Sequence, residues 1–157
     1  MIAEVQGYAL IFNSSHRLLR RAIDGLTQEQ ALERRGDANP ILWIAAHVVS
    51  VRGSFARALG SDVRVAWARQ FPRGGQVQDV TDWPALEDVR AAWDEVHADF
   101  MTRVEALTAE QLAAETVLPG LDKTMLGALG LAALHDVYHL GQLGAARRLH
   151  GLDRMVG

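Results

Sequence analysis

Apolar residues recur every three or four positions in four separate stretches of the chain. The first runs from about Val5 to Asp24, with Val5, Tyr8, Phe12, Ser15, Leu19 and Ile23 in one stripe. The second opens at Asn39-Pro40, an N-cap residue and a proline suited to the first helical position. Its stripe is Ile41, Ile44, Val48, Val51, Phe55 and Leu59, and Gly60 follows as a stop. The third starts near Thr81 to Pro84 and reads Leu86, Val89, Trp93, Val96, Phe100, Val104 and Leu107. The fourth begins after Thr124 and runs to His150, with Gly151 at the C′ position and Arg147, Arg148 and His150 near the negative end. Such spacing is that of inward-facing helices, and no alternating strand pattern of useful length appears. The expectation is an all-α protein, an antiparallel four-helix bundle formed by one domain over residues 1–157.

The connections add to this. Leu26-Thr27-Gln28-Glu29-Gln30 after the first segment is echoed by Leu107-Thr108-Ala109-Glu110-Gln111 after the third. In both, a threonine precedes a glutamine by three residues, a capping-box pattern that starts a short helical turn. The echo predicts two similar hairpins, the first two helices making one and the last two the other. Ser61 to Val80 is the longest stretch without a pattern, and long loops in compact domains are often functional. Arg69 and Arg73 within it are candidates for recognising carboxylates.

Composition narrows the function. The 157 residues carry a formal net charge of −3 and no basic block, so the electrostatic footprint of a nucleic-acid binder is missing. The absence of cysteine excludes disulfides, thiolate metal sites and a cysteine nucleophile, and fits a cytoplasmic protein. Met1 to Phe12 lacks the basic start of a signal peptide, and no apolar run approaches the roughly 20 residues of a membrane span.

The chemistry concentrates in histidine. His135 and His139 stand four apart in an apolar helical segment, so they project from one face, one turn apart. The same face continues through Ala128, Leu131, Ala132, Gln142, Leu143 and Ala146, which points both rings into the bundle. His47 lies in the second segment, one residue from its stripe. Buried imidazoles need partners, and either ordinary hydrogen bonds or a metal shared between facing helices supplies them. Three histidines would leave an open position on such a metal. Trp43, one turn before His47, and Gln142, three residues after His139, are the candidate supporting residues. Asp136 points about 100° away from His135 and fits a supporting role better than a ligand's. His16 and His97 read as edge residues of the core, and His150 as a cation at a helix C-terminus.

The run Leu134-His135-Asp136-Val137-Tyr138-His139-Leu140-Gly141-Gln142-Leu143 resembles the signature of the DinB-like (DinB/YfiT) metalloprotein superfamily. So does Pro40-Ile41-Leu42-Trp43-Ile44-Ala45-Ala46-His47. The resemblance implies a four-helix bundle in which His47, His135 and His139 hold a divalent metal, zinc or nickel above all. It also implies a homodimer. Some relatives use bacillithiol or mycothiol to transfer sulfur or to isomerise maleylpyruvate.

Three readings follow. A three-histidine site can hold a thiol as thiolate, and with no cysteine in the chain the sulfur would come from a cofactor or substrate. This favours a metal-dependent transferase joining a low-molecular-weight thiol to a small electrophile. Lowering the pKa of bound water instead would give a metal-dependent hydrolase. The third reading is a non-enzymatic metal-binding or stress-associated protein. None involves nucleic acid or membrane.

Overall fold

The computed structural model describes residues 1–156. Its helices are α1 (Ala3–Ile23), α2 (Gln28–Leu32), α3 (Ile41–Ala58), α4 (Leu86–Ala106), α5 (Ala109–Ala113) and α6 (Met125–Leu149). The four long ones, α1, α3, α4 and α6, form the expected bundle, and the described residues contain no strand beyond an isolated bridge between Glu115 and Thr124.

Their ends follow local chemistry. Thr27 and Thr108 each accept from the backbone N–H three residues on, and Gln30 and Gln111 reach back to the threonine N–H, so both capping boxes are complete. Thr124 caps α6 by accepting from Gly127 N at 3.0 Å. Gly60 and Gly151, both at positive φ, follow α3 and α6 as the stops their positions called for. Two starts fall later than the sequence implied. Pro40 is itself the N-cap of α3, with an extended ψ of 143°, and Asn39 makes no cap. The helix α4 begins at Leu86, beyond Thr81–Pro84, because its cap is supplied from a distance. Gln28 of α2 accepts from Leu86 N at 2.7 Å and donates to Pro84 O at 3.2 Å.

Pairings along the helices give their directions. Phe12 meets Phe100, His97 bonds Asn13 and Arg90 bonds the Ile23 carbonyl, so α1 and α4 are antiparallel. Tyr8 lies beside Gly130 and Arg147 bonds the Ala22 carbonyl, so α1 and α6 are parallel. His47 meets His139 while Arg52 meets Asp136, making α3 and α6 antiparallel. Arg52 reaches His97 and Arg103 the Leu59 carbonyl, making α3 and α4 parallel. The first two long helices are therefore diagonal across the bundle and do not pack as a hairpin. The connection through α2 is long enough to cross the end of the bundle, as in other bundles with crossover loops. The neighbour pattern is unchanged when α1 is exchanged with α4 and α3 with α6, so the two halves are related by an approximate twofold axis.

Two apolar clusters fill the interior, one around Leu42, Trp43 and Trp93, the other around Phe12, Phe100 and Leu129. Between them lies a layer of buried polar side chains that includes Arg52, His97, Asp136 and His139. The helix α3 is buried on nearly every side, because the Ser61–Val80 loop lies over the face the other helices leave open. Phe71 anchors that loop with no exposed surface, and Trp67 donates from its indole N–H to the Ala46 carbonyl at 3.4 Å.

Candidate metal centre

The three histidines singled out by spacing converge. His47 from α3 and His135 and His139 from α6 each bring a ring nitrogen within 4.8 Å of the others. The ring centroids are 4.4 to 5.1 Å apart. Both helices are needed, and their antiparallel crossing puts His47 opposite the turn that holds the pair.

Partners on the far side of two rings fix which nitrogen is free. His47 donates from Nδ1 to the Phe71 carbonyl at 3.1 Å. His139 donates from Nδ1 to Gln142 Oε1 at 2.7 Å, and Gln142 is itself held by donating from Nε2 to the Tyr138 hydroxyl at 3.2 Å. A carbonyl or amide oxygen only accepts, so the proton sits on Nδ1 and the Nε2 lone pair of each ring is available. His47 Nε2 and His135 Nε2 are 3.1 Å apart, a separation that needs a proton or a cation between the two nitrogens. His135 Nδ1 is buried without a partner. This donor set, neutral nitrogens drawn together with two of the three rings oriented from behind, fits a divalent transition metal.

Burial keeps the rings neutral. It pushes His47 down to about 4, helped by nearby His139. It pushes His135 down to about 3, helped by His139, His47 and the charges of Arg73 and Arg52. Burial lowers His139 as well, against the bond from Gln142. Near neutral pH all three are deprotonated ligands in waiting.

Trp43 and Gln142 take the supporting positions expected of them. The Trp43 indole stacks on the His47 ring at 5.0 Å and 11° and walls that side of the centre. Asp136 is not in the cluster. Its carboxylate turns into the core to pair with Arg52, and its Oδ1 stays 4.0 Å from His135 Nδ1, too far for a hydrogen bond. His16 and His97 lie outside the centre and stack on each other at 4.0 Å, with His16 bonded to Asp94. His150 is the C-cap of α6, within 3.6 Å of Glu33.

Three contributors escaped the sequence reading: Phe71, whose carbonyl orients His47; Tyr138, whose hydroxyl holds Gln142; and Arg52. Arg52 had a signal. It is a lone cation in the apolar segment Val48–Phe55, as Asp136 is a lone anion in the apolar segment that would face it.

The model of the DinB superfamily matches residues 11–143, a span that includes all three histidines, the whole of α3 and α4 and the larger part of α1 and α6. The chain belongs to the DinB superfamily. No curated protein and no solved structure matches it. Membership in the DinB superfamily and the convergent triad together fit a metal-binding protein. No helix among the described residues is long and apolar enough to cross a membrane.

Proposed function

We propose that this DinB-superfamily protein is a metal-dependent S-transferase, joining a low-molecular-weight thiol of the bacillithiol or mycothiol type to a small electrophile. The carrying observation is a triad of neutral imidazoles in a chain without cysteine. Three protein ligands leave room for an exogenous one, and the chain has no sulfur nucleophile of its own. His47, His135 and His139 would hold zinc or nickel. When bound, the ion supplies Lewis-acid polarisation and favours the thiolate form of a sulfur ligand.

The chain's own residues orient and shield. Phe71 and Gln142 fix two imidazoles through Nδ1, and the Trp43 face excludes water from one side of His47. A homodimer belongs to the same reading. Leu134, Val137 and Tyr138 form an exposed apolar stripe on α6, and Leu10 and Ile11 are exposed on the neighbouring α1. Sedimentation of the purified protein tests that part.

The function is tested by elemental analysis of untagged protein beside His135→Ala and His139→Ala, followed by consumption of an electrophile panel with and without thiol. One equivalent of metal per chain, absent from both variants, and thiol-dependent consumption are expected. Thiol-independent consumption would replace transfer with hydrolysis. Failure to retain added zinc or nickel would leave a binding protein with three core histidines.

A further inference from the structure

The face of α3 that carries His47 continues, one turn on, into a cavity of about 260 Å³. Ser50, Val51, Ser54 and Phe55 of α3 form its floor, the Ala68–Arg73 segment one wall and Leu118-Pro119 the other. Phe71 belongs to both places: it lines the cavity, and its carbonyl holds His47. The second wall is set rigidly. The loop after α5 lies so close to α6 that a Cβ on Gly127 would fall 2.1 Å from Asp122 Oδ1, and Leu121 N donates to the Gly127 carbonyl at 2.9 Å.

The charge of this cavity is one-sided. Arg57, Arg69 and Arg73 line it, and no aspartate or glutamate does. Several arginines elsewhere in the fold are paired, as Arg35 is with Glu33, Arg103 with Asp99 and Arg52 with Asp136. Among the described residues the cavity's three arginines make no ion pair, and Arg57 only donates to Ser54 Oγ at 3.0 Å. Three unpaired guanidinium groups around an apolar floor, in a chain of net charge −3, form a local field that favours an anion. Planar guanidinium matches carboxylate in two-point hydrogen bonding, and Val51, Phe55 and Leu118 offer contact to a hydrocarbon body. The volume lies just below the roughly 300–1,000 Å³ usual for drug-sized ligands, so the occupant is small.

We propose that this cavity binds the carboxylate of a small organic substrate with an apolar body, holding its reactive end toward the histidine centre. The inference rests on the transferase reading only in taking the centre as the place of reaction. It specifies a substrate class: an organic acid.

The experiment is a ligand-observed NMR titration of trans-cinnamate and its neutral amide, with metal-free and zinc-loaded protein. The carboxylate is expected to bind about tenfold more tightly than the amide, the ratio set by one good charge-assisted contact. Arg57→Gln and Arg73→Gln should each shrink that preference severalfold without changing affinity for the amide. Arg17→Gln, far along α1, should leave it alone. The same comparison with N-acetylcysteine and its amide distinguishes a carboxylate on the thiol from one on the electrophile. Equal affinity of acid and amide, or a preference untouched by both cavity variants, would overturn the proposal. So would tighter binding of phenyl phosphate than of cinnamate. Because the titration is also read without metal, failure of the protein to bind zinc would strike down the transferase reading and leave this result standing.

Discussion

The guanidinium of Arg52 and the carboxylate of Asp136 meet in the interior, their side chains 0 % and 3 % exposed. They join α3 to α6 one turn from the three converging histidines. Arg52 also lies over the faces of Phe12, Trp93 and Phe100, 4.5 to 5.1 Å from the ring centroids. The aromatic faces offset part of the cost of burying its charge.

Removing one partner strands the other. Asp136→Ala should destabilise the protein by about 3–5 kcal/mol, since an uncompensated buried charge remains. The double variant Arg52→Met, Asp136→Leu should recover most of the loss. Urea unfolding of the three variants reads both effects. A cost for Asp136→Ala below about 1 kcal/mol would place the pair among exposed ones in its energetic behaviour.

Gln142 touches no point where the three imidazoles converge, yet it fixes the His139 tautomer from behind. Gln142→Leu is expected to weaken zinc affinity about 10–100-fold while the melting temperature of metal-free protein stays near that of the parent. Competition with a chromophoric chelator measures the first and calorimetry the second. Unchanged affinity would mean that His139 is held by packing alone.

Lowered histidine pKa values make stability depend on pH. His97 is pushed down to about 3 by burial, then by nearby His16 and Arg52, against the opposing pull of Asp94. Its Nδ1 accepts from Arg52 at 3.2 Å and its Nε2 donates to Asn13 at 3.1 Å, an arrangement open only to the neutral ring. The unfolded chain, with histidine near 6.5, takes up the proton first. This contribution is complete above pH 6.5 and is lost as pH falls from there toward 3, by up to about 1.4 kcal/mol per pH unit for one such ring. His47 and His135 act in the same direction in metal-free protein. Urea midpoints should fall steadily from pH 7 to pH 5. A flat profile would show that these rings are as basic in the fold as outside it.

The four long helices and the His135–His139 pair were legible because both depend on spacing within a segment, while His47, on another helix, was joined to them by the resemblance of both runs to one superfamily. Period and caps locate a helix, and residues four apart share a face whatever packs against it. Contacts between distant segments were not. Nothing near Leu86 reveals that Gln28 caps its helix, and nothing in the patternless Ser61–Val80 stretch marks the Phe71 carbonyl as the partner of His47. The diagonal placing of α1 and α3 was hidden for the same reason: the capping boxes repeat in the sequence, but the path of a crossover connection does not show in it.

The approximate twofold axis bears on how the two halves divide their tasks. Counted from the first residues of α3 and α6, Arg52 corresponds to Asp136, so the ion pair sits at the axis. His16 and His97, which stand equally far before the capping threonines, also meet each other there. By the same count His47 corresponds to Leu131, and His135 and His139 to Val51 and Phe55. The scaffold thus provides two berths, related by the axis, for a three-ligand centre and furnishes one of them with nitrogen. The other carries aliphatic and aromatic carbon, and two of its residues, Val51 and Phe55, line the cavity beside the histidine centre, so the near-symmetric body offers nitrogen at one berth and an apolar surface at its twin.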